Sequence, residues 1–265
     1  MGYRACIVAS IASSAVAGLM MSLLAQPASA ADMAVKAPIA PIAAPSWTGF
    51  YVGVVGGYGA GNQATNFVFA GITGLPGTPV EVRPDGRGGL FGIEAGYNHQ
   101  IGRALLGIEG DIDYAHISGS ATSVSPNGFF MAPTTQSIKS LGTVRGRVGF
   151  LANDNLLLYG TAGVAIGRVG MTTAFIPTGI LGGNCVNSSC GAGAASSTKA
   201  GPAVGAGVEY AWTNRVSVKV EYLFVDLGRT STTFPITLAV STMAANSFYE
   251  AHIVRAGLNV KLGGP

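Results

Sequence analysis

Strict alternation of apolar residues with small or polar ones, in eight segments joined by alternately short and long connections, predicts an all-β fold. The expected form is an eight-stranded antiparallel transmembrane β-barrel with short periplasmic turns and long extracellular loops. Composition points the same way. Mean hydropathy is +0.43, with 40 glycines and only 10% charged residues. Yet beyond residue 30 no apolar run is long enough for a membrane helix.

The N-terminus predicts export. Arg4 precedes an apolar run from Ala5 to Leu24, and Ala28-Ser29-Ala30 supplies a small-x-small cleavage site. Residues 1–30 therefore read as a signal peptide cleaved after Ala30, with the cell outer membrane as destination. An uncleaved anchor is the alternative, and the Ala and Ser content and the cleavage site speak against it. Cys6 leaves with this segment. Residues 31–46 carry three prolines and no strand or helix pattern, and read as a Pro/Ala-rich periplasmic tether. The barrel is expected over 47–265.

The strands are taken in order. Residues 50–58 set Phe50, Val52, Val54 and Tyr58 against Gly53 and Gly57, and 90–100 set Phe91, Ile93 and Tyr97 against Glu94 and Asn98. In 105–116, Leu106, Ile108, Ile112 and Tyr114 oppose Glu109, Asp111 and Asp113; in 139–150, Val144, Val148 and Phe150 oppose Arg145 and Arg147. The segment 156–169 is the least regular, and Leu158, Val164 and Ile166 are assigned outward. Residues 203–212 oppose Val204, Val208, Tyr210 and Trp212 to Glu209. Residues 216–227 oppose Val218, Val220, Tyr222 and Phe224 to Lys219 and Glu221, and 248–262 oppose Val254, Leu258 and Val260 to Arg255, Asn259 and Lys261.

Residues 101–104, 151–155 and 213–215 are tight turns of Gly, Asn, Asp and Thr. The connections 60–87, 117–138, 170–199 and 228–247 are long and rich in Gly, Thr, Ser and Pro. In the third, Cys185 and Cys190 enclose a short polar turn. That loop has no His, Asp or Glu to complete a metal site, and free thiols do not persist in an oxidising envelope, so a disulfide is expected.

An eight-stranded barrel has an interior just wide enough for side chains to fill. The expected inward charges are Glu94, Glu109, Asp111, Asp113, Glu209 and Glu221 against Lys139, Arg145, Arg147, Lys219, Arg255 and Lys261, a balanced ion-pair network. The same carboxylates admit a catalytic or transport reading, but matched bases favour structure. Aromatics fall into two girdles. Trp47, Phe50, Tyr97, Phe150, Tyr210 and Trp212 map to the periplasmic rim, and Tyr58, Phe91, Tyr114, Tyr222 and Phe224 to the outer rim. A soluble β-sandwich or lipocalin-like binder explains neither the girdles nor the turn–loop alternation.

A net charge of +3, dispersed along the chain, gives no reason to expect nucleic-acid binding. Expected partners are outer-membrane lipid and lipopolysaccharide, and a host or surface ligand at the long loops. No cofactor or metal is expected, since His99 and His252 lie apart from cysteines and clustered carboxylates. Three functions compete: a structural barrel with surface-exposed loops, a narrow pore for ions or small solutes, and a membrane-embedded lipid A deacylase. The last rests on the spacing His116-Ile117-Ser118, but 119–138 hold no acid to orient His116.

Several motifs carry a resemblance. They include Ala31-Asp32-Met33-Ala34-Val35-Lys36-Ala37-Pro38, Trp47-Thr48-Gly49-Phe50-Tyr51-Val52-Gly53, Gly107-Ile108-Glu109-Gly110-Asp111, Gly142-Thr143-Val144-Arg145-Gly146-Arg147 and Lys219-Val220-Glu221-Tyr222. The chain resembles the small outer-membrane barrels of alphaproteobacteria, the outer-membrane immunogenic protein or "porin family" group. These are related to opacity-like and OmpA-like membrane domains. The likeness covers every expected strand and none of the long loops. It implies an envelope protein with antigenic surface loops and barrel-assembly machinery as a partner during biogenesis. It also implies a terminal aromatic residue read by that machinery, where this chain ends Leu262-Gly263-Gly264-Pro265. No peptidoglycan-binding segment follows the barrel, so OmpA-type anchoring is not expected.

Overall fold

The computed structural model describes residues 45–62, 64–70, 80–125, 128, 130–178, 190–236 and 241–263. The expected signal peptide, most of the tether, Cys185, Gly264 and Pro265 lie outside the described residues. The chain forms β1 (Gly49–Asn62), β2 (Thr65–Ala70), β3 (Val80–Val82), β4 (Asp85–Ile101), β5 (Ala104–Val124), β6 (Phe130–Asn153), β7 (Leu156–Pro177), β8 (Gly191–Ala211), β9 (Val216–Ile236) and β10 (Ser241–Leu262).

These ten segments make a wall of eight strands. β1 and β2 both pair with β10, at Ala60↔His252 and Thr65↔Ser247, and so are two halves of one strand. β3 and β4 are halves of the next, pairing at Val82↔Thr65 and Asp85↔Asn62. Pro84, which has no N–H to donate to a ladder, sits at their interruption. Every neighbour pairs antiparallel, and β1 with β10 closes the ring. Closure leaves no sheet edge at membrane depth, where an unpaired backbone group has no water to bind.

Most of the segments read as long loops are strand. β5 and β6 run to Val124 and back from Phe130, and β7 and β8 to Pro177 and back from Gly191. These Thr-, Ser- and Gly-rich stretches keep the alternation begun in the membrane, placing Phe130, Ala132, Met171 and Phe175 inside. Propagating an established ladder adds hydrogen bonds with the register already set, so weak local β-propensity suffices.

Strand length and register together set depth. Near the periplasmic turns, Ala104, Phe150, Leu158 and Val208 are successive partners on β5–β8. Followed on through Val220, Ala256, Gly56 and Phe91, the same row returns to β5 at Tyr114, ten residues outward of Ala104, so rows climb the wall as the strands tilt. A strand needs about 9–11 residues to cross a bilayer. At 21, 24, 22 and 21 residues β5–β8 are about twice that length, and their outer halves stand beyond the membrane.

The interior is filled in layers. Trp47, Leu105, Leu151, Leu157, Tyr159 and Ala211 close the periplasmic end. Next come the buried charges. Above them pack Leu90, Ile117, Ile138, Leu141, Val169, Leu223, Tyr249 and Ile253, among others. A polar layer follows, in which Thr65 and Ser247 hydroxyls lie 2.9 Å apart and Thr134 and Thr173 hydroxyls 3.0 Å apart. Phe67, Val82, Phe130, Ala132, Met171, Phe175, Met243 and Ala245 form the outermost apolar layer.

Candidate functional site

The charge layer is built by alternation. Glu109, Asp111 and Asp113 project inward from β5, Arg145 and Arg147 from β6, Glu209 from β8, Lys219 and Glu221 from β9, Arg255 from β10 and Glu94 from β4; all are buried. Arg145 is the hub: its guanidinium meets Glu109 at 2.6 Å and Asp111 at 2.9 Å, and also binds Glu221. Arg255 lies 2.9 Å from Glu221 and 3.2 Å from Asp111 and Asp113. Lys219 bridges Glu94 at 2.7 Å and Glu109 at 2.9 Å, while Arg147 pairs with Glu209. Small residues opposite make room. A Cβ on Gly57 would lie 2.7 Å from the Arg255 Cβ, and one on Gly163 would lie 2.6 Å from the Arg145 Cα.

The two remaining cations stand apart, which corrects the expected balance of six acids and six bases. Lys139 is exposed, because a bulge between Ile138 and Ser140 turns Lys139 and Ser140 both outward. Lys261 lies at the periplasmic mouth, where its Nζ donates to the Ser46 carbonyl at 2.7 Å. Six carboxylates therefore share four cations. Glu94 Oε1, Asp111 Oδ1 and Asp113 Oδ1 accept no hydrogen bond among the described residues.

Alternation placed Asn259 on the inward row, but no neutral side chain was expected in the network. Tyr51 donates its hydroxyl to Glu109 at 2.6 Å, Asn259 donates to Glu209 at 3.2 Å, and Arg147 stacks 3.8 Å over the Tyr159 ring. Their parity on β1, β7 and β10 was the available signal: each falls on the inward row.

Of the girdle aromatics, Phe50, Tyr58, Phe91, Tyr114, Phe150, Tyr210, Trp212 and Tyr222 are exposed, and Tyr97 and Phe224 half-exposed. Phe50 meets Tyr97 with centroids 4.7 Å apart, and Phe91 meets Tyr114 at 5.4 Å. Trp47 is a correction. It is buried in the periplasmic plug, and its indole N–H donates to the Asp154 carbonyl at 3.1 Å. It precedes β1 and shares the parity of inward Tyr51. Gly49, with φ 139°, turns the chain from the plug into the wall.

His116 is exposed on the outward row of β5. His252 Nδ1 lies 2.6 Å from the Tyr222 hydroxyl at the outer rim. No group of three His, Cys, Asp or Glu suited to a metal occurs among the described residues. Cys190 is disulfide-bonded.

Residues 16–261 match the family described as outer membrane protein beta-barrel domain. The chain belongs to that family. This outer-membrane barrel is 35% identical over 251 residues to the 31 kDa outer-membrane immunogenic protein of Brucella melitensis, covering 91% of this chain and 95% of that one. It is 33% identical over 191 residues to a 22 kDa outer membrane protein of Rhizobium leguminosarum, covering 72% and 68%. Among solved structures it resembles the outer membrane protein OprG of Pseudomonas aeruginosa, with a TM-score of 0.50 at 11% identity over 81% of this chain and 97% of that one. That likeness concerns the fold alone.

Proposed function

We propose that this outer-membrane barrel is a closed structural protein, not an enzyme, which supports the envelope and presents its extracellular end to the surroundings. In this reading the mature protein starts after Ala30, with 31–46 as tether and 47–265 as barrel. One observation carries it: the interior is packed from the periplasmic plug at Trp47 to the outer apolar layer at Phe130 and Met243. A narrow pore needs a continuous wet path, and the apolar layers on both sides of the charges interrupt one. A deacylase needs a carboxylate to orient His116, and β5 beyond Asp113 supplies none. The Brucella relative's name speaks of immunogenicity; for this chain, surface recognition would fall to the tips joining β2 to β3, β5 to β6, β7 to β8 and β9 to β10. The test is conductance in planar bilayers. The closed reading expects an unbroken baseline, and steady unitary currents from folded protein would overturn it.

A further inference from the structure

Charge is distributed unevenly around the outer rim. Residues 114–153 and 155–208, which supply the outer halves of β5–β8, contain no Asp or Glu. Elsewhere the rim mixes signs: Glu81, Arg83, Asp85 and Arg87 along β3 and β4, and Asp226, Arg229 and Glu250 on β9 and β10. On the acid-free side two cations, Lys139 and Arg168, are exposed on the outer face, while Lys199 lies half-buried on the inward row. Among the described residues, Arg168 reaches only the Ser196 hydroxyl, at 3.5 Å.

The register gathers these groups. Tyr114, Ser140, Arg168 and Thr198 are partners in one row across four strands, all exposed, and the bulge sets Lys139 beside Ser140. Counted from the turn between β6 and β7, Lys139 and Arg168 stand just past the roughly 9–11 residues that a strand needs to cross a bilayer, at headgroup depth.

We propose that this face binds the phosphate groups of an outer-leaflet lipid, through Lys139 and Arg168 with the Ser140 and Thr198 hydroxyls beside them. A guanidinium fork suits phosphate oxygens, a lysine adds a point charge, and the hydroxyls donate. Tyr114 supplies the ring favoured at a membrane interface. Because the wall continues to Val124 and Phe130 beyond the row, lipid headgroups face these residues and soluble partners meet the tips first. The inference rests on the outer-membrane placement, which heat-modifiable gel mobility of the membrane-fraction protein tests separately.

The experiment uses full-chain protein purified in detergent from outer membranes. Binding of bis-phosphorylated lipid A and of its dephosphorylated form is followed by native mass spectrometry. Wild type should prefer the phosphorylated form. Lys139→Ala with Arg168→Ala should weaken that binding about twenty-five-fold, a factor of about five for each cation at an anionic surface. Arg87→Ala with Arg229→Ala, on the mixed-charge side, should leave it nearly unchanged, and Arg168→Lys should retain part of it. Equal wild-type affinity for the two lipids, or equal affinity of wild type and the Lys139/Arg168 variant, would overturn the proposal. The two-lipid comparison requires no variant, so a misfolded variant does not spoil it.

Discussion

Arg145 and Glu94 occupy the same buried layer but carry opposite expectations. Arg145 holds three carboxylates at once, so Arg145→Ala leaves Glu109, Asp111 and Glu221 beside one another in a dry interior with only Lys219 and Arg255, already shared with other acids, to offset them. Breaking a buried ion pair from one side costs about 3–5 kcal/mol, and the urea midpoint of the folded barrel should fall accordingly. Glu94 belongs to the surplus of acids, and its partner Lys219 retains Glu109 at 2.9 Å. Glu94→Gln keeps the shape and removes one uncompensated negative charge, so the midpoint should hold or rise. A loss from Glu94→Gln equal to that from Arg145→Ala would sink the charge count. The individual acids and bases of the layer were readable from alternation. The surplus was not, because it depends on a bulge at Lys139 and on where the chain ahead of β1 places Ser46.

At the scale of the element, each strand is specified by its period and each turn by a few residues. Gly102 in the turn between β4 and β5 has φ 62°, and a Cβ there would meet nothing within 4 Å. Its constraint is therefore backbone conformation alone. Gly102→Asn should cost little, since Asn tolerates the left-handed region, while Gly102→Val should cost about 1–2 kcal/mol more. Equal unfolding midpoints for the two variants would show that the turn relaxes to another form. Strand centres and tight turns were legible because the membrane half shows strict alternation. The outer ends were not, because Thr, Ser and Gly stretches become strand only when a neighbouring ladder already holds them.

For the whole molecule, closure and export act together. A barrel released after Ala30 keeps Cys185 and Cys190 and loses Cys6. Intact-mass measurement of outer-membrane protein, alkylated without reduction, should give a chain starting at Ala31 with no label, and two labels after reduction. Two labels without reduction would exclude the Cys185–Cys190 bridge, and retention of residues 1–30 would exclude cleavage. The filled interior has a further consequence at this scale. With apolar layers above and below the charges, the ion pairs are shielded from salt, so moderate ionic strength should shift the unfolding midpoint of the barrel little.

By itself, the sequence determined which residues face lipid and which face inward across the membrane half, since a two-residue period admits one assignment wherever one face is apolar. It determined the turn positions, the two aromatic bands and the inward position of ten of the charges. Only the tertiary structure decided that β1 and β2, and β3 and β4, are interrupted single strands, because the deciding partners, such as Thr65↔Ser247, lie 182 residues apart and leave no local signal. It likewise decided that Trp47 plugs the barrel, that Lys139 and Lys261 leave the network, and that the outer wall is packed with apolar side chains. The reason is common to all four. Alternation is a local property of one strand, whereas bulges, strand extension and layer filling depend on which neighbour lies across the ladder and on how much room eight closed strands leave inside.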